Sequence, residues 1–558
     1  MDGEGEHYHN SGDEAERGID VKRNTVVVPP PGAGRTMPRR EFLKALATIT
    51  ALGGAGAPLL GARSASALDG ASVFPDGIKS GDPAPHSAVI WTRVAVEPRR
   101  ASEVLWSVAD DPAMQNVVRG GLARVDASTG HNLHVKVEGL QPDRWYHYRF
   151  ETKGVGSVVG RLRTAPVPGS SPDRLRYAFA SCQQRNQSYY VAHREIAREN
   201  VDFFMHLGDY IYVSDFSTLS LDDYRGVYRR FHSNPELQAL QAQVPLVAVW
   251  DDGEFYNGVD STGDPQRLAN ARRAWFEAMP VIEPTERTYR SLHWGDLAEL
   301  LLLDTRQYRD PEVPPNTTFA GILDAQDTTF PPGGDMLAPG RTVLGQTQKD
   351  WVKARLSQTR ARWKILGSSY DMAPWKLVDY DTPEARAADP ELQKNGGLYV
   401  SNEAWDDYQD ERRQLMRHID ENAVSNVLVS SGHTHFYKAS DIQPDFDDAT
   451  SPITAMEFVS GSLTADPPAT DIAPLELLLL AEEIMLGAND PYLRHVDLLN
   501  QGYVIFDVTP EETIVQFRVI DTLDPNAEAR TRGRFRVRNG VPGIETLSLD
   551  YEPIPPGC

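Results

Sequence analysis

Two rhythms of apolar and polar residues divide the chain. Between residues 73 and 166 the runs are short and alternate with a period of two. They are SAVIWTRV (87–94), EVLWSVA (103–109) and HVKVEGLQPDRWYHYRF (134–150). Turn residues break them, which is the signature of half-buried antiparallel strands. In the last run Tyr146, Tyr148 and Phe150 fall on one face, and Trp145, His147 and Arg149 on the other. After Arg174 the runs become continuously apolar, five to seven residues long: RYAFASC, VDFFMHLGD, PLVAVWDD, AELLLLDTR, WKILGSS, NVLVSSGHTH and ITAMEFVSGS. Helical patterns lie between them near 189–199, 222–231, 266–278, 346–358 and 407–421. Buried strands alternating with helices predict a layered α/β sheet core.

The organisation that follows is an N-terminal extension over 1–67, an all-β sandwich over 68–168, an α/β domain over 169–535 and a tail over 536–558. Leu140-x-Pro142 followed by tyrosines resembles the corner of a fibronectin-III or immunoglobulin-like sandwich. The Pro-, Gly-, Asp- and Thr-rich stretch 309–341 is too long for a plain connection and reads as a lid or insertion. Residues 475–486 are apolar but carry Glu476, Glu482 and Glu483, which makes an amphipathic helix the better reading than a membrane span.

The N-terminus changes the picture of where the chain works. Arg39-Arg40 precede Phe42-Leu43, an Ala/Gly/Leu stretch and Ala65-Ser66-Ala67. That order resembles a twin-arginine export signal with its cleavage site. It implies the export machinery as partner and a periplasmic or extracellular destination. The 558-residue chain has a net charge of −23, and residues 1–67 are neutral, so a processed chain keeps that charge. A surface so acidic excludes non-specific nucleic-acid binding, since phosphate backbones need a basic face. An anionic substrate would need a local reversal of the field, for which bound metal is the simplest source. Two cysteines, Cys182 and Cys558, make no disulfide framework.

The candidate chemistry lies where the apolar runs stop. They end in Cys182, Asp209, Asp251-Asp252, Asp304-Thr305-Arg306, Ser368-Ser369, His433-Thr434-His435 and Ser460-Gly461-Ser462. In α/β sheets ligands bind beyond the carboxyl ends of strands, so these positions converge. Asp, Tyr, Cys and His are all metal ligands, and phenolate with thiolate suits a ferric ion better than Mg²⁺. Taken singly, Cys182 also reads as a buried small hydrophobe, Tyr212 as a packing aromatic and the histidine pair as structural.

These residues, in this order, resemble the alkaline phosphatase D (PhoD)-like metallophosphatases. FPDGIKSGDPAPHSAVIWTRV, SCQ, HLGDYIY, YRGVYRRFHSNPELQALQAQVPLVAVWDD, LLLDTRQYRD, WKILGSS and GYVIFDVTPE follow the family over residues 73–525. The resemblance implies a metallophosphoesterase-like core and an exported hydrolase of phosphate monoesters or diesters that uses a metal-bound hydroxide. It implies Fe³⁺ on Cys182, Asp209 and Tyr212, with Asp209 bridging to a second divalent metal. Asp252, Asn257, His433 and His435 are the remaining metal candidates. Arg306 is the candidate phosphate contact, with a structural ion pair as its other reading. His433 or His435 is the candidate proton donor to the leaving oxygen. Two motifs depart from the family. Trp-Asp-Asp-His-Glu is here Trp250-Asp251-Asp252-Gly253-Glu254, and Gly-Asp-x-His is Gly432-His433-Thr434-His435. The departures favour a transition metal over the family's calcium as the second ion. They also leave open a rival reading, a non-catalytic surface binding protein with a degenerate phosphatase domain.

Overall fold

The computed structural model describes residues 35–36, 70–95, 102–185, 188–213, 220–281, 289–313, 336, 338–379, 397–399, 404–446, 448, 450–467 and 475–550. The twin-arginine segment, most of the 309–341 insertion and Cys558 lie outside them. No helix among the described residues is long and apolar enough to cross a membrane.

Two large sheets face one another. Among the described residues one has ten strands and the other seven. At the heart of the first, Leu175–Ala180, Phe203–Leu207 and Leu246–Val249 run parallel. In the second, Ala298–Leu302, Trp363–Gly367, Val427–Ser431 and Ala455–Val459 run parallel. All seven are the continuous apolar runs of the sequence, buried on both faces. Between the sheets, Tyr177, Phe179, Met205, Leu207 and Val249 meet Leu300, Ile365, Leu428 and Phe458 in one core. Helices cover the outer faces. Tyr224, Val227 and Phe231 of Leu221–His232 pack on the ten-stranded sheet, and Leu415, Met416 and Ile419 of Gln409–Glu421 on the seven-stranded sheet. The five expected helices form as Val191–Arg198, Leu221–His232, Pro265–Ala278, Gly345–Gln358 and Gln409–Glu421.

The N-terminal strands build a second core around Ile90, Trp106, Tyr146, Tyr148 and Phe150. Trp145–Thr152 buries alternate residues as the pattern predicts. Tyr146 Oη accepts the Gln141 N–H at 2.9 Å, which ties the corner. The boundary near residue 168 is not a clean division, however. Ile78–Ala84, Ser87–Arg93 and Asn132–Glu138 extend the ten-stranded sheet by way of the Leu246–Gly81 pairing. The expected tail is also different. Val541–Leu549 pairs antiparallel with Arg530–Arg538 and forms the edge strand of that sheet. Its polar alternation, with Ile544 buried over Met456 and Phe458, suits a one-sided edge and hid it in the sequence.

Candidate metal centre

Parallel strands deliver their following residues to one side, and the carboxyl ends of both sheets meet there. Cys182 follows Leu175–Ala180 and Asp209 follows Phe203–Leu207. Asp251 and Asp252 follow Leu246–Val249, and His433 and His435 follow Val427–Ser431. Cys182, Asp209, His433 and His435 all hold positive φ, between 54° and 73°. This left-handed conformation disfavours side-chain-bearing residues, and strain of this kind concentrates at functional sites. Gly208 lets two of the loops touch, since a Cβ there would lie 2.4 Å from Asp251 Cβ.

Two donor groups share Asp209. Ligand atoms of Cys182, Asp209 and His435 lie within 4.8 Å of one another, and so do those of Asp209, Asp251, Asp252 and His433. Tyr212 completes the first group. Its hydroxyl donates to Asp209 Oδ2 at 3.0 Å and lies 3.1 Å from His435 Nε2. Cys182 Sγ is 3.3 Å from the same carboxylate oxygen. His435 Nδ1 donates to the Asp466 carbonyl, which turns Nε2 toward the group. On the other side of Asp209, Oδ1 accepts the Gly253 N–H at 2.8 Å.

The electrostatics show what the cluster lacks. Burial, then the negative charges of Cys182, Asp251 and Asp252, push the Asp209 carboxyl well above its usual range. Burial likewise raises Tyr212 and pushes Cys182 up to about 11. Burial lowers His435 to about 4, so it stays neutral and able to ligate. Burial acts to raise Asp251 too, but Arg306 and His433 outweigh it and hold that carboxyl ionised. Crowded anionic oxygens beside a thiol, a phenol and an imidazole form a donor set that a multivalent cation neutralises. The residues present therefore fit a metal pair.

Arg306 forms a buried ion pair. It is fully buried, paired through Nε with Asp251, bonded through Nη1 to Tyr370 Oη and stacked 4.1 Å from the Tyr370 ring. Its Nη2 lies 3.2 Å from His433 Nδ1 and 3.7 Å from Asp252 Oδ1. This is the ion-pair arrangement that the sequence also allowed. Asn257 is exposed, and no hydrogen bond among the described residues joins it to the cluster; Asp252 Oδ2 instead accepts from Gly258 N at 2.8 Å.

Two participants had no metal or supporting role assigned from the sequence, where Asp251 appeared only as a strand end and Glu254 only in a motif. Asp251 enters the second donor group and binds His433 Nδ1 at 2.6 Å. Since the ionised carboxylate only accepts, Nδ1 donates and Nε2 is left for other partners. Glu254 is fully buried and accepts backbone N–H groups from Asp209, Tyr210 and Asp251 at 2.8–3.0 Å. It joins the two acidic loops. The signal available for both was the run of acids after the strand ending at Val249.

The PhoD-like phosphatase family matches residues 177–517, and the PhoD-like phosphatase N-terminal domain matches residues 61–166. The alkaline phosphatase D of Bacillus subtilis (strain 168) is 31% identical, over 92% of this chain and 90% of its own. A solved structure of PhoD superposes with a TM-score of 0.73 at 29% identity, covering 88% of this chain and 94% of that one. A purple acid phosphatase from yellow lupin seeds reaches a TM-score of 0.48 at 12% identity, over 84% of this chain and 75% of that one.

Proposed function

The chain belongs to the PhoD-like phosphatase family and is a phosphoric ester hydrolase; from that premise we propose that it is an exported, metal-dependent enzyme whose centre holds two cations bridged by Asp209. The observation that carries this reading is Asp209 standing in both donor groups. Cys182, Asp209, Tyr212 and His435 would hold a ferric ion. Asp209, Asp252 and His433 would hold the second, with Asp251 fixing the His433 ring. Such a pair supplies positive charge for a phosphate ester and makes water a stronger nucleophile at neutral pH. The chain's own residues orient and support. Glu254 locks the Asp209 and Asp251 loops, and Arg306 holds Asp251, which in turn orients the His433 ring. As an imidazolium with Nδ1 on Asp251, and when Nε2 is not occupied as a ligand, His433 would give the Nε2 proton to a leaving oxygen. Residues 68–168 we assign to a sandwich domain that lends three strands to the catalytic sheet. Arg39-Arg40 and Ala65-Ser66-Ala67 support twin-arginine export to the periplasm or exterior.

Metal analysis of the purified chain is expected to find iron, with a visible tyrosinate-to-iron band that Tyr212→Phe removes. The same preparation should hydrolyse a chromogenic phosphate monoester or diester, and the pair of assays separates those substrates. Colourless, iron-free protein with full activity would refute the centre. A non-catalytic surface protein would bind without turning over either ester.

His433 sets the second ion. Replacing an anionic oxygen by a neutral nitrogen disfavours calcium and favours zinc, iron, copper or nickel. His433→Asp is therefore expected to lose transition-metal affinity and to gain a calcium response. A parent enzyme that requires calcium, together with a His433→Ala variant of unchanged metal content, would show that His433 only supports its neighbours.

A further inference from the structure

Asp209 and Cys182 sit at left-handed backbone positions, with φ of 54° and 59°, and an L residue stays there only when its neighbours hold it. The N–H groups of Asp209 and Tyr210 donate to Glu254 at 3.0 and 2.8 Å. The carbonyls of the same two residues both go to Gln183. Its N–H donates to the Asp209 carbonyl at 3.0 Å, and its side-chain Nε2 donates to the Tyr210 carbonyl at 2.7 Å. One position earlier, the Cys182 N–H donates to the Gly208 carbonyl at 3.1 Å. Glu254 thus clamps the turn by its N–H groups, and Gln183 clamps it by its carbonyls.

Gln183 is fully buried, and its amide has one orientation. A carbonyl only accepts, so Nε2 faces Tyr210 and Oε1 faces His193 Nε2, 2.8 Å away. The imidazole therefore carries its proton on Nε2. His193 is itself fully buried, on the helix Val191–Arg198, with its ring stacked 4.5 Å from that of Tyr190. Burial lowers it to about 3, so it stays neutral. The helix sets Val191, Ala192 and Ile196 into the core beneath it. Two side chains in series thus run from an outer helix to the turn that carries the shared carboxylate.

A buried glutamine that only fills space needs a partner at each end of its amide, and any buried partner serves. Gln183 instead spends its backbone donor and its side-chain donor on the same turn, at Asp209 and Tyr210. The residue before it is the thiol of the first donor group. Since Asp209 stands in both donor groups, a rotation of this turn displaces both at once. His193 belongs to neither group, and the Gln183 amide is engaged by Tyr210 and His193, so neither residue is placed as a ligand itself.

We infer that Gln183 and His193 are positioning residues for the hydrolytic centre: His193 aims the Gln183 amide, and Gln183 fixes the Asp209 turn against the Cys182 loop. The inference rests on the reading of Asp209 as the bridge between two cations. Both residues act through that carboxylate. Loss of the amide would release Asp209 from its φ of 54° and change its 3.0 Å approach to the Tyr212 hydroxyl. Residues that orient metal ligands in this way change metal affinity or activity by about 10–100-fold.

The test follows the iron-loaded full chain through its tyrosinate band, its iron affinity against a competing chelator and its turnover of a chromogenic phosphate ester. Gln183→Met keeps the side-chain length and loses the amide. It should shift the band and lower iron affinity and turnover at least about tenfold. His193→Phe should act in the same direction and less. His193→Gln puts an amide N–H where Nε2 was and should restore most of what phenylalanine loses. The double variant Gln183→Met with His193→Phe should be no worse than Gln183→Met alone, because residues that act in series are not additive. Leu300→Ala, in the core between the sheets, lowers stability away from the centre and should leave the band and iron affinity of the folded chain unchanged. Should Gln183→Met fail to fold, the two His193 variants carry the same comparison. A band-bearing parent whose variants keep band, affinity and turnover overturns this inference and leaves the metal centre standing. Losses that Leu300→Ala reproduces, or that multiply in the double variant, reduce both residues to ordinary packing and overturn it too. An iron-free parent overturns the bridging reading and this inference with it.

Discussion

Asp209→Asn is expected to lower turnover of a phosphate ester by at least about a hundredfold and to empty the centre of metal. The shared carboxylate is the element both donor groups lose together, and even supporting residues around metals change affinity by about 10–100-fold. The variant should also reveal the electrostatic state of the empty centre. In the metal-free chain, burial and the charges of Cys182, Asp251 and Asp252 oppose ionisation of Asp209. A neutral amide of the same shape removes that opposition. Metal-free Asp209→Asn should therefore melt no lower than the metal-free parent, while the loaded parent melts well above both. Thermal unfolding with and without chelator measures this, because a ligand that binds only the folded chain raises its stability. A variant that keeps its metal, or that melts far below the chelated parent, would place the bridging role elsewhere.

Much of this architecture could be read from periodicity. The continuous apolar runs became the central parallel strands, because burial on both faces leaves no alternation to confuse with a helix. Cys182, Asp209, Tyr212 and His435 could be grouped because a parallel sheet sends all its strand ends to one side. What periodicity does not encode is depth. Arg306 follows a strand just as Asp209 does, yet it turns under the cluster to Asp251 and Tyr370. Nothing in Asp304-Thr305-Arg306 says which way the side chain goes. The same holds for Asp251 and Asp252, adjacent acids that split between His433 and the turn at Gly258. The helix Pro235–Gln243 was missed as a separate element although Asn234 caps it and Pro235 begins it. Its buried residues include Gln241, whose amide reaches Tyr210 Oη, so its apolar stripe is interrupted. The edge strand Val541–Leu549 failed for a related reason: one-sided burial with Glu545, Thr546 and Ser548 on the open face resembles a solvated tail.

Gly253 gives the sharpest test of how this chain departs from its family. A Cβ at that position would lie 2.5 Å from the Ile211 carbonyl oxygen and 2.6 Å from Asp209 Oδ1. Neither neighbour is the free end of a flexible side chain, and the Gly253 N–H itself holds Asp209 Oδ1. Gly253→Ala is therefore expected to cost about 1–3 kcal/mol in folding stability, the usual penalty for overfilling a packed site. It should also weaken metal binding, since the bridging carboxylate must shift. Gly253→His writes the family's imidazole back into the sequence, but the loop that would carry it is closed against the Asp209 turn. It should not restore calcium binding, and it should destabilise more than alanine does. The double variant Gly253→His with His433→Asp reproduces both family motifs. It should remain impaired, because the obstruction at 253 comes from Ile211 and Asp209, which the change at 433 does not move. Unfolding curves and calcium titrations of the parent, both single variants and the double variant decide the matter. A double variant as stable as the parent, and responsive to calcium, would mean that the loop at Gly253 opens freely and that the exchanged imidazole alone governs the metal.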